Sequence, residues 1–181
     1  ITNIINGDKS KLSSPMTLMS KSGNKIGNMY IANSAIVDKA INIAYSEADN
    51  WNNTNVEQRS EIIEKFIETF DKQRNMIASC MMVESELTAE DAHIQIDKVI
   101  ELVSYYCLQA RNEFAHPKLL PSPTGEIDEI SLKGRGVVVS ICSSDDSIIR
   151  FVGQVAASLL AGNTVVTKAA YFGNLLAYTI V

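Results

Sequence analysis

The sequence predicts an α/β fold in which long N-terminal helices are followed by a βαβ unit with parallel strands. Val137–Cys142 is a continuous apolar run rich in β-branched residues, which is typical of a strand covered on both faces. Ile148–Ala161 then follows helical spacing, and Thr164–Thr167 returns to an extended pattern. Gly162 and Asn163 end the helix, because the left-handed position after a helix favours Gly and tolerates Asn. A strand, a crossover helix and a second strand of these lengths predict a right-handed connection and a nucleotide-binding α/β domain.

The N-terminal half shows helical periodicity before this unit begins. Ser34–Asn50 places its apolar residues on one side, and Trp51 is expected to close this helix against the core. Thr54 and Glu57 have the spacing of a capping box, which marks the start of another helix. Apolar residues then recur at steps of three and four, so that a single long amphipathic helix is predicted over Val56–Val83.

A further helix and an extended segment complete the first two thirds of the chain. Thr88 and Asp91 mark a helix N-terminus, and the helix that follows ends before Pro117. Pro117–Gly125 contains three prolines and is predicted to be extended, whereas the alternation in Ile127–Leu132 predicts a half-buried edge or hairpin strand. The apolar stripe of the helix consists of Ala92, Ile96, Val99, Val103, Tyr106, Ala110 and Phe114.

These patterns divide the chain into an arm and one domain. Residues 1–25 are rich in Ser, Asn and Lys and predict an extended or poorly ordered arm. Residues 26–181 then form the domain, with a helical half at 26–116, an extended linker and edge strand at 117–133, and the βαβ half at 134–181. The first residue is Ile, so the sequence is interpreted as a processed product or as an excerpt of a longer reading frame.

Composition excludes several classes of function. The formal net charge of −5 provides no basic stripe for phosphates, so no nucleic-acid partner is expected. No apolar stretch approaches the ~18 residues of a membrane span and no signal peptide is recognisable, so the predicted localisation is cytoplasmic, without a membrane partner. Cys80, Cys107 and Cys142 are widely spaced, and neither His93 nor His116 has a partner at ligand spacing, so no metal site is predicted.

Three stretches carry a resemblance to a known family. Gly134–Lys168 reads GRGVVVSICSSDDSIIRFVGQVAASLLAGNTVVTK and is similar to the aldehyde dehydrogenase superfamily. YYCLQARNEF and the text of Pro117–Glu126 resemble, more narrowly, the glutamate-semialdehyde (pyrroline-5-carboxylate) dehydrogenase module of bifunctional proline-utilisation proteins. The resemblance covers the chain from about Ile26 to Val181. It implies a partial Rossmann-like, NAD-binding domain of aldehyde dehydrogenase type.

The resemblance also implies site residues. In the family a thiolate attacks the aldehyde, hydride passes to NAD, and a carboxylate activates the water that releases the acid. The resemblance places that nucleophilic Cys and general-base Glu beyond Val181, so that no catalytic residue is expected among these positions. Lys168 matches the lysine that binds the hydroxyls of the adenosine ribose, and Ile141, Ser144 and Tyr171 are the other expected cofactor contacts.

Two loops depart from the family pattern. Where the family reads SPWNFP, Asp145 stands at the Asn whose amide helps to bind the oxyanion, and an ionised carboxylate cannot donate. Loss of one oxyanion donor typically costs about 2.7 to 4 kcal/mol. Where the family reads PAEQ, Ala169–Phe172 removes the acidic partner of the ribose. Cys142 matches a Ser of the family and is interpreted as a structural thiol.

Two interpretations remain open. The first is a truncated, catalytically incompetent part of an NAD-dependent dehydrogenase of proline catabolism, with NAD as the cofactor that the resemblance implies. The second is a non-enzymatic scaffold or interaction module. The partners expected are therefore a second copy of the chain, in a homo-oligomer, or a separately made C-terminal dehydrogenase fragment.

Overall fold

The helical half is built around one long central helix. The computed structural model describes residues 1–10 and 14–181. Within them the helices of this half are α1 (Ser34–Asn53), α2 (Val56–Lys72), α3 (Arg74–Glu84) and α4 (Ala89–Phe114). Thr88 caps α4 by accepting the amide of Asp91 (3.0 Å), as predicted. The predicted stripe of α4 is the core: Ala92, Ile96, Val99 and Val103 are fully buried against α2, α3 and the later helix of the βαβ unit.

The single helix predicted over Val56–Val83 is wrong, because the chain breaks at Gln73. This residue has φ −98° and ψ 10°, and it ends α2 and starts α3. Its amide donates to the carbonyls of Thr69 and Phe70, while its own carbonyl accepts from Met76 and Ile77. Both helices bury their apolar faces in the same core, so the spacing of apolar residues continues across the break and hides it.

The capping box predicted at Thr54 and Glu57 is also wrong. Asn55 caps α2, since its Oδ1 accepts the amide of Gln58 at 2.8 Å. Thr54 instead ends α1, and its hydroxyl donates to the carbonyl of Asn50 (3.1 Å). Helix α1 runs to Asn53, so the expectation that it closes at Trp51 is wrong. The indole Nε1 of Trp51 donates to the carbonyl of Leu159 (2.9 Å) and so links α1 to α5.

The N-terminal arm is more ordered than the sequence suggested. It forms two antiparallel hairpins, β1 (Asn3–Ile5) with β2 (Asp8–Ser10) and β3 (Pro15–Met19) with β4 (Lys25–Tyr30). The first turn is Asn6–Gly7, with φ of 49° and 80°, which is the turn that two-residue hairpin loops favour. Leu18 is buried, so this arm packs onto the domain. Part of the predicted arm, residues 11–13, lies outside the described residues.

The linker forms a hairpin rather than a half-buried strand. Strands β5 (Lys118–Leu120) and β6 (Asp128–Ile130) pair antiparallel, which confirms the hairpin strand within Ile127–Leu132. Every residue of both strands is exposed, so the half-burial expected from the alternation is wrong. Alternation of apolar and polar residues distinguishes the two faces of a strand but does not ensure that either face is covered. Among the described residues, both faces of this hairpin are exposed.

The predicted βαβ unit is confirmed. It consists of β7 (Val137–Ile141), α5 (Ser147–Leu160) and β8 (Thr164–Lys168), with β7 and β8 parallel, and it continues into a short 3₁₀ helix (Tyr171–Gly173) and α6 (Asn174–Ile180). Gly162 has φ +84°, the left-handed conformation predicted for the end of α5. The expected cover on both faces of β7 is wrong, because Val139 and Ile141 are 58% and 71% exposed.

The remaining sequence predictions concern the chain as a whole. Among the residues described, none of the helices combines the length and the apolar character that a membrane crossing requires. The boundaries drawn at residues 25, 116 and 133, and the cytoplasmic localisation, stay predictions.

Candidate functional site

The carboxyl edge of the two parallel strands brings two of the predicted site residues together. Ile141 and Lys168 are paired residues in the register of β7 and β8, each the last residue of its strand. The amide of Cys142 donates to the carbonyl of Lys168 at 3.0 Å, which continues the ladder one step further. In open α/β sheets, ligands bind at this edge.

The Lys168 side chain is available for a ligand. It is exposed, and its Nζ donates to the carbonyl of Ala169 (2.7 Å). Within the described part of the chain, no carboxylate lies at ion-pair distance from this ammonium. Because an ammonium has three hydrogens to donate and one is engaged, two remain for other acceptors.

Tyr171 adds an aromatic surface three residues after Lys168. Its side chain is 50% exposed, and its ring meets that of Phe172 edge-on, with centroids 4.8 Å apart. Its carbonyl accepts from Nδ2 of Asn174 (3.0 Å), which fixes the 3₁₀ helix at the start of α6. Ile141, the strand partner of Lys168, and Tyr171, three residues after it, thus both provide exposed apolar surface.

The loop between β7 and α5 contributes negative charge. Ser144, Asp145 and Asp146 are all exposed, and the Ser143 hydroxyl donates to the carbonyl of Asp145 (3.3 Å). Asp146 has left-handed backbone angles (φ 50°, ψ 44°) and makes no side-chain bond to the start of α5. Two exposed carboxylates beside the sheet edge repel an anion, so their charge opposes an oxyanion or a phosphate at this loop.

The edge combines one exposed hydrogen-bond donor with exposed apolar surface. The Lys168 ammonium can donate to hydroxyl groups, and Ile141 and Tyr171 can pack against an apolar ring. The two carboxylates of the acidic loop repel a phosphate. The predicted contact at Ser144 lies in that loop with its side chain exposed.

The GRG sequence has a structural role at the opposite end of β7. A side chain at Gly134 would lie 2.3 Å from the carbonyl oxygen of Gly162, so that only glycine fits there. The amides of Arg135 and Gly136 donate to Oδ1 of Asn163 at 2.5 Å and 3.2 Å. The sequence GRG therefore holds the start of β7 against the residues that follow α5.

Cys142 is buried beneath the edge. Its Sγ lies 3.8 Å from both the Ser140 hydroxyl and Oε1 of Gln154, and Ser140 itself donates to Gln154. The thiol is therefore part of a packed contact between β7 and α5, as predicted for a structural cysteine.

Sequence reasoning missed Glu84, the last residue of α3. Its side chain is fully buried and accepts three backbone amides at the start of α6, immediately after the site. Burial raises the pKa of this carboxyl, and the three amides oppose that rise. A glutamate at a helix end is usually exposed, so the sequence carried no signal for this contact.

A family model for the aldehyde dehydrogenase family matches residues 9–181. The chain belongs to the aldehyde dehydrogenase family. Members of this family are generally NAD(P)-dependent.

Individual relatives agree with this assignment. The chain is 27% identical over 145 residues to 1-pyrroline-5-carboxylate dehydrogenase 1 of Halalkalibacterium halodurans, covering 80% of this chain and 28% of the relative. It is 30% identical over 155 residues to D-glyceraldehyde dehydrogenase (NADP(+)) of Thermoplasma acidophilum, covering 81% and 29%. The chain therefore spans less than a third of these relatives.

The fold is shared with a solved structure of proline utilization A (PutA) from Bdellovibrio bacteriovorus inactivated by N-propargylglycine. The TM-score is 0.91 at 23% identity, and the match covers 98% of this chain and 19% of that protein. The resemblance seen in Gly134–Lys168 is therefore confirmed, because the family model shows the family and this structure shows the fold.

Proposed function

We propose that this chain forms the adenosine side of the cofactor site in an NAD-dependent dehydrogenase that oxidises glutamate semialdehyde to glutamate. The substrate is proposed from the pyrroline-5-carboxylate dehydrogenase relative. The observation that carries the proposal is the pairing of Lys168 with Ile141 at the carboxyl edge of the parallel strands. NAD, when bound, supplies the hydride acceptor.

Each residue of the edge has a distinct role in this proposal. The Lys168 ammonium donates to the ribose hydroxyls with the two hydrogens that Ala169 leaves free. Ile141 and Tyr171 offer exposed apolar surface to the adenine, whose burial there removes water from both partners.

We propose further that these 181 residues do not oxidise aldehydes by themselves. The resemblance places the nucleophilic thiol and the general base outside them. Cys142 cannot replace the nucleophile, because its buried thiol packs between β7 and α5. Asp145 adds a carboxylate where the family uses a donor, and its charge opposes that of a developing oxyanion.

Calorimetric titration with NAD tests the cofactor proposal. We expect wild-type binding and a loss of about tenfold or more in affinity for Lys168→Ala, as removal of a charge-assisted hydrogen bond predicts. Lys98→Ala, which removes an exposed lysine from α4, should bind NAD as the wild type does. NADP serves as a second probe, and the chain alone should form no NADH from glutamate semialdehyde. Equal affinity of the Lys168→Ala and wild-type proteins would refute the role of Lys168.

A second candidate function is an interaction module. Tyr45 on α1 is 76% exposed, and Val139 and Ile141 on β7 are also exposed, so apolar surface is available to a second copy or to a C-terminal dehydrogenase fragment. Sedimentation at about 10 to 50 μM should then show self-association, because burial of this surface is favourable at about 25 cal/mol per Å². A strictly monomeric species would count against this candidate. NAD should weaken the association if both use Ile141.

A further inference from the structure

The buried carboxylate of Glu84 caps a helix that lies far away in sequence. Its Oε1 accepts the amides of Asn174 (2.8 Å) and Leu175 (3.0 Å), and its Oε2 accepts the amide of Leu176 (3.1 Å). These are the first three residues of α6, whose amides have no partner within the helix. The residue at the usual capping position is Gly173, which has no side chain, so the cap is supplied by Glu84 instead.

The next residue along the chain holds the same segment. The Ser85 hydroxyl donates to the carbonyl of Phe172 at 3.0 Å. Gly173 lies between these contacts, and a Cβ there would come within 3.1 Å of the Ser147 Cβ at the start of α5. The segment that follows Tyr171 is therefore held by side chains of α3 and its end on one side and packed on α5 on the other.

Helix α3 is a rigid support for these contacts. Ile77 and Met81 are each 1% exposed and belong to the main core, about two turns and one turn before Glu84, respectively. Because Glu84 lies at the end of this packed helix, its carboxylate holds the start of α6 at a fixed position relative to the core. Without it, the start of α6 would lose three hydrogen bonds, of which the bond to Leu176 is buried and the other two are partly buried.

A neighbouring residue makes a separate set of contacts. Glu86 is exposed, and its Oε1 accepts from the Ser20 hydroxyl (2.8 Å) and the Ser22 amide (3.0 Å) in the turn between β3 and β4. The side-chain hydrogen bonds of Glu86 are made to Ser20 and Ser22, so Glu86 holds the N-terminal hairpin and not residues 171–176. Glu86 is therefore a matched control, because it has the same side chain as Glu84 and lies only two residues after it.

We propose that Glu84 is a positioning residue for the cofactor site. By holding residues 174–176, it fixes Tyr171 and the end of β8, against which the adenosine would bind. The proposal rests on the NAD site proposed above at Lys168.

The test combines hydrogen exchange with NAD titration on Glu84→Gln. The amide side chain retains one acceptor oxygen, but its NH₂ group faces the Leu176 amide, donor against donor. We expect exchange of the 174–176 amides to rise by about tenfold or more, while the amides of α4 stay protected. We expect NAD affinity to fall at least about fivefold. Glu86→Gln should leave both readings at the wild-type values.

The outcomes separate the two proposals. Faster exchange at residues 174–176 with unchanged NAD affinity would make Glu84 a structural cap only and overturn this inference, while the Lys168 site would stand. Absence of NAD binding by the wild type would overturn both proposals. If Glu84→Gln does not fold, Glu84→Asp replaces it, because it keeps the carboxylate but shortens its reach to the three amides. Weaker NAD binding by Glu84→Asp would then support the inference, and wild-type affinity together with faster exchange at residues 174–176 would overturn it.

Discussion

Both the helical half and the βαβ half contain continuous apolar faces, but the two halves bury these faces to different extents. In α4, Ile96, Val99 and Val103 have no exposed surface. In β7, the equally apolar Val139 and Ile141 are mostly exposed. Helix α4 is surrounded by α2, α3 and α5, whereas β7 and β8 pair only with each other within the described residues.

This difference shows what local pattern can and cannot decide. Periodicity identifies which residues form a face, but burial of that face depends on elements from elsewhere in the chain or from a partner. The helical half contains the packed core, and the βαβ half contains the exposed strand ends at which Lys168 and Ile141 pair.

Truncation of a core residue in α4 should lower stability far more than the same truncation on β7. Ile96→Ala removes a fully buried side chain from α4 and should lower the free energy of unfolding by about 2 to 5 kcal/mol, because it leaves a cavity. Ile141→Ala makes the same change on an exposed strand residue and should cost below about 1 kcal/mol, mostly in β propensity. Urea unfolding monitored by circular dichroism measures both.

Equal losses for the two variants would contradict the comparison. They would show that the face of β7 is covered in solution, and sedimentation of the wild type would then reveal the second copy that covers it. Dilution should reduce the loss for Ile141→Ala in that case, because the contact depends on concentration.

Removal of the Arg59 side chain, which links the two halves, should cause an intermediate loss of stability. Arg59 on α2 is 5% exposed, and its guanidinium donates to the carbonyls of Thr54 and Leu160, at the ends of α1 and α5. Burial lowers the pKa of this group. Arg59→Ala should reduce the free energy of unfolding by about 1.5 to 3 kcal/mol, because it leaves two helix ends without their donor.

Arg150→Ala is the control for that experiment. Arg150 lies exposed on α5, and its removal should change the free energy of unfolding by less than about 0.5 kcal/mol. Two separate unfolding transitions in Arg59→Ala would mean that the halves unfold independently once the joint is lost. A single transition at wild-type stability would show that Trp51 and the shared core suffice to hold them together.

The elements predicted correctly are those with purely local signals. The stripe of α4 and the order of β7, α5 and β8 followed from periodicity, and Gly162 followed from its required positive φ. The break at Gln73 was missed because it has neither Pro nor Gly and leaves the apolar spacing intact. The Asn6–Gly7 turn had a clear signal, which the polar composition of the arm obscured.

The candidate site was predictable only in part, because only some of its contacts have a local signal in the sequence. Parallel pairing of β7 and β8 is enough to place Ile141 beside Lys168. Glu84 reaches its partners across about 90 residues of sequence, and no local pattern reports such a bond. A buried carboxylate is recognised once its donors are located in space.

The ion pair between Arg111 and Glu64, on the surface of the helical half, should contribute least to stability. Arg111 on α4 donates to both oxygens of Glu64 on α2, at 2.5 Å and 2.9 Å, and this hydrogen bonding lowers the pKa of Glu64 below its ordinary value of 4.5. A lowered pKa in the folded state means that the pair stabilises the protein above the ordinary pKa and stops doing so as pH falls through the folded value. Both side chains are partly exposed, so the contribution should be only about 0.2 to 1 kcal/mol.

Unfolding of Glu64→Gln and wild type at about pH 6 and about pH 3 measures this contribution. The difference in stability between them should be present at the higher pH and shrink towards zero at the lower one, because acid protonates the wild-type carboxylate and ends its ion pair. Glu68→Gln, one turn along α2 and exposed, should show no such pH dependence. A difference that grows in acid would reverse the sign and contradict a lowered pKa. A difference in the free energy of unfolding much above 1 kcal/mol would mean that surface ion pairs, as well as the core around α4, contribute substantially to the stability of the helical half.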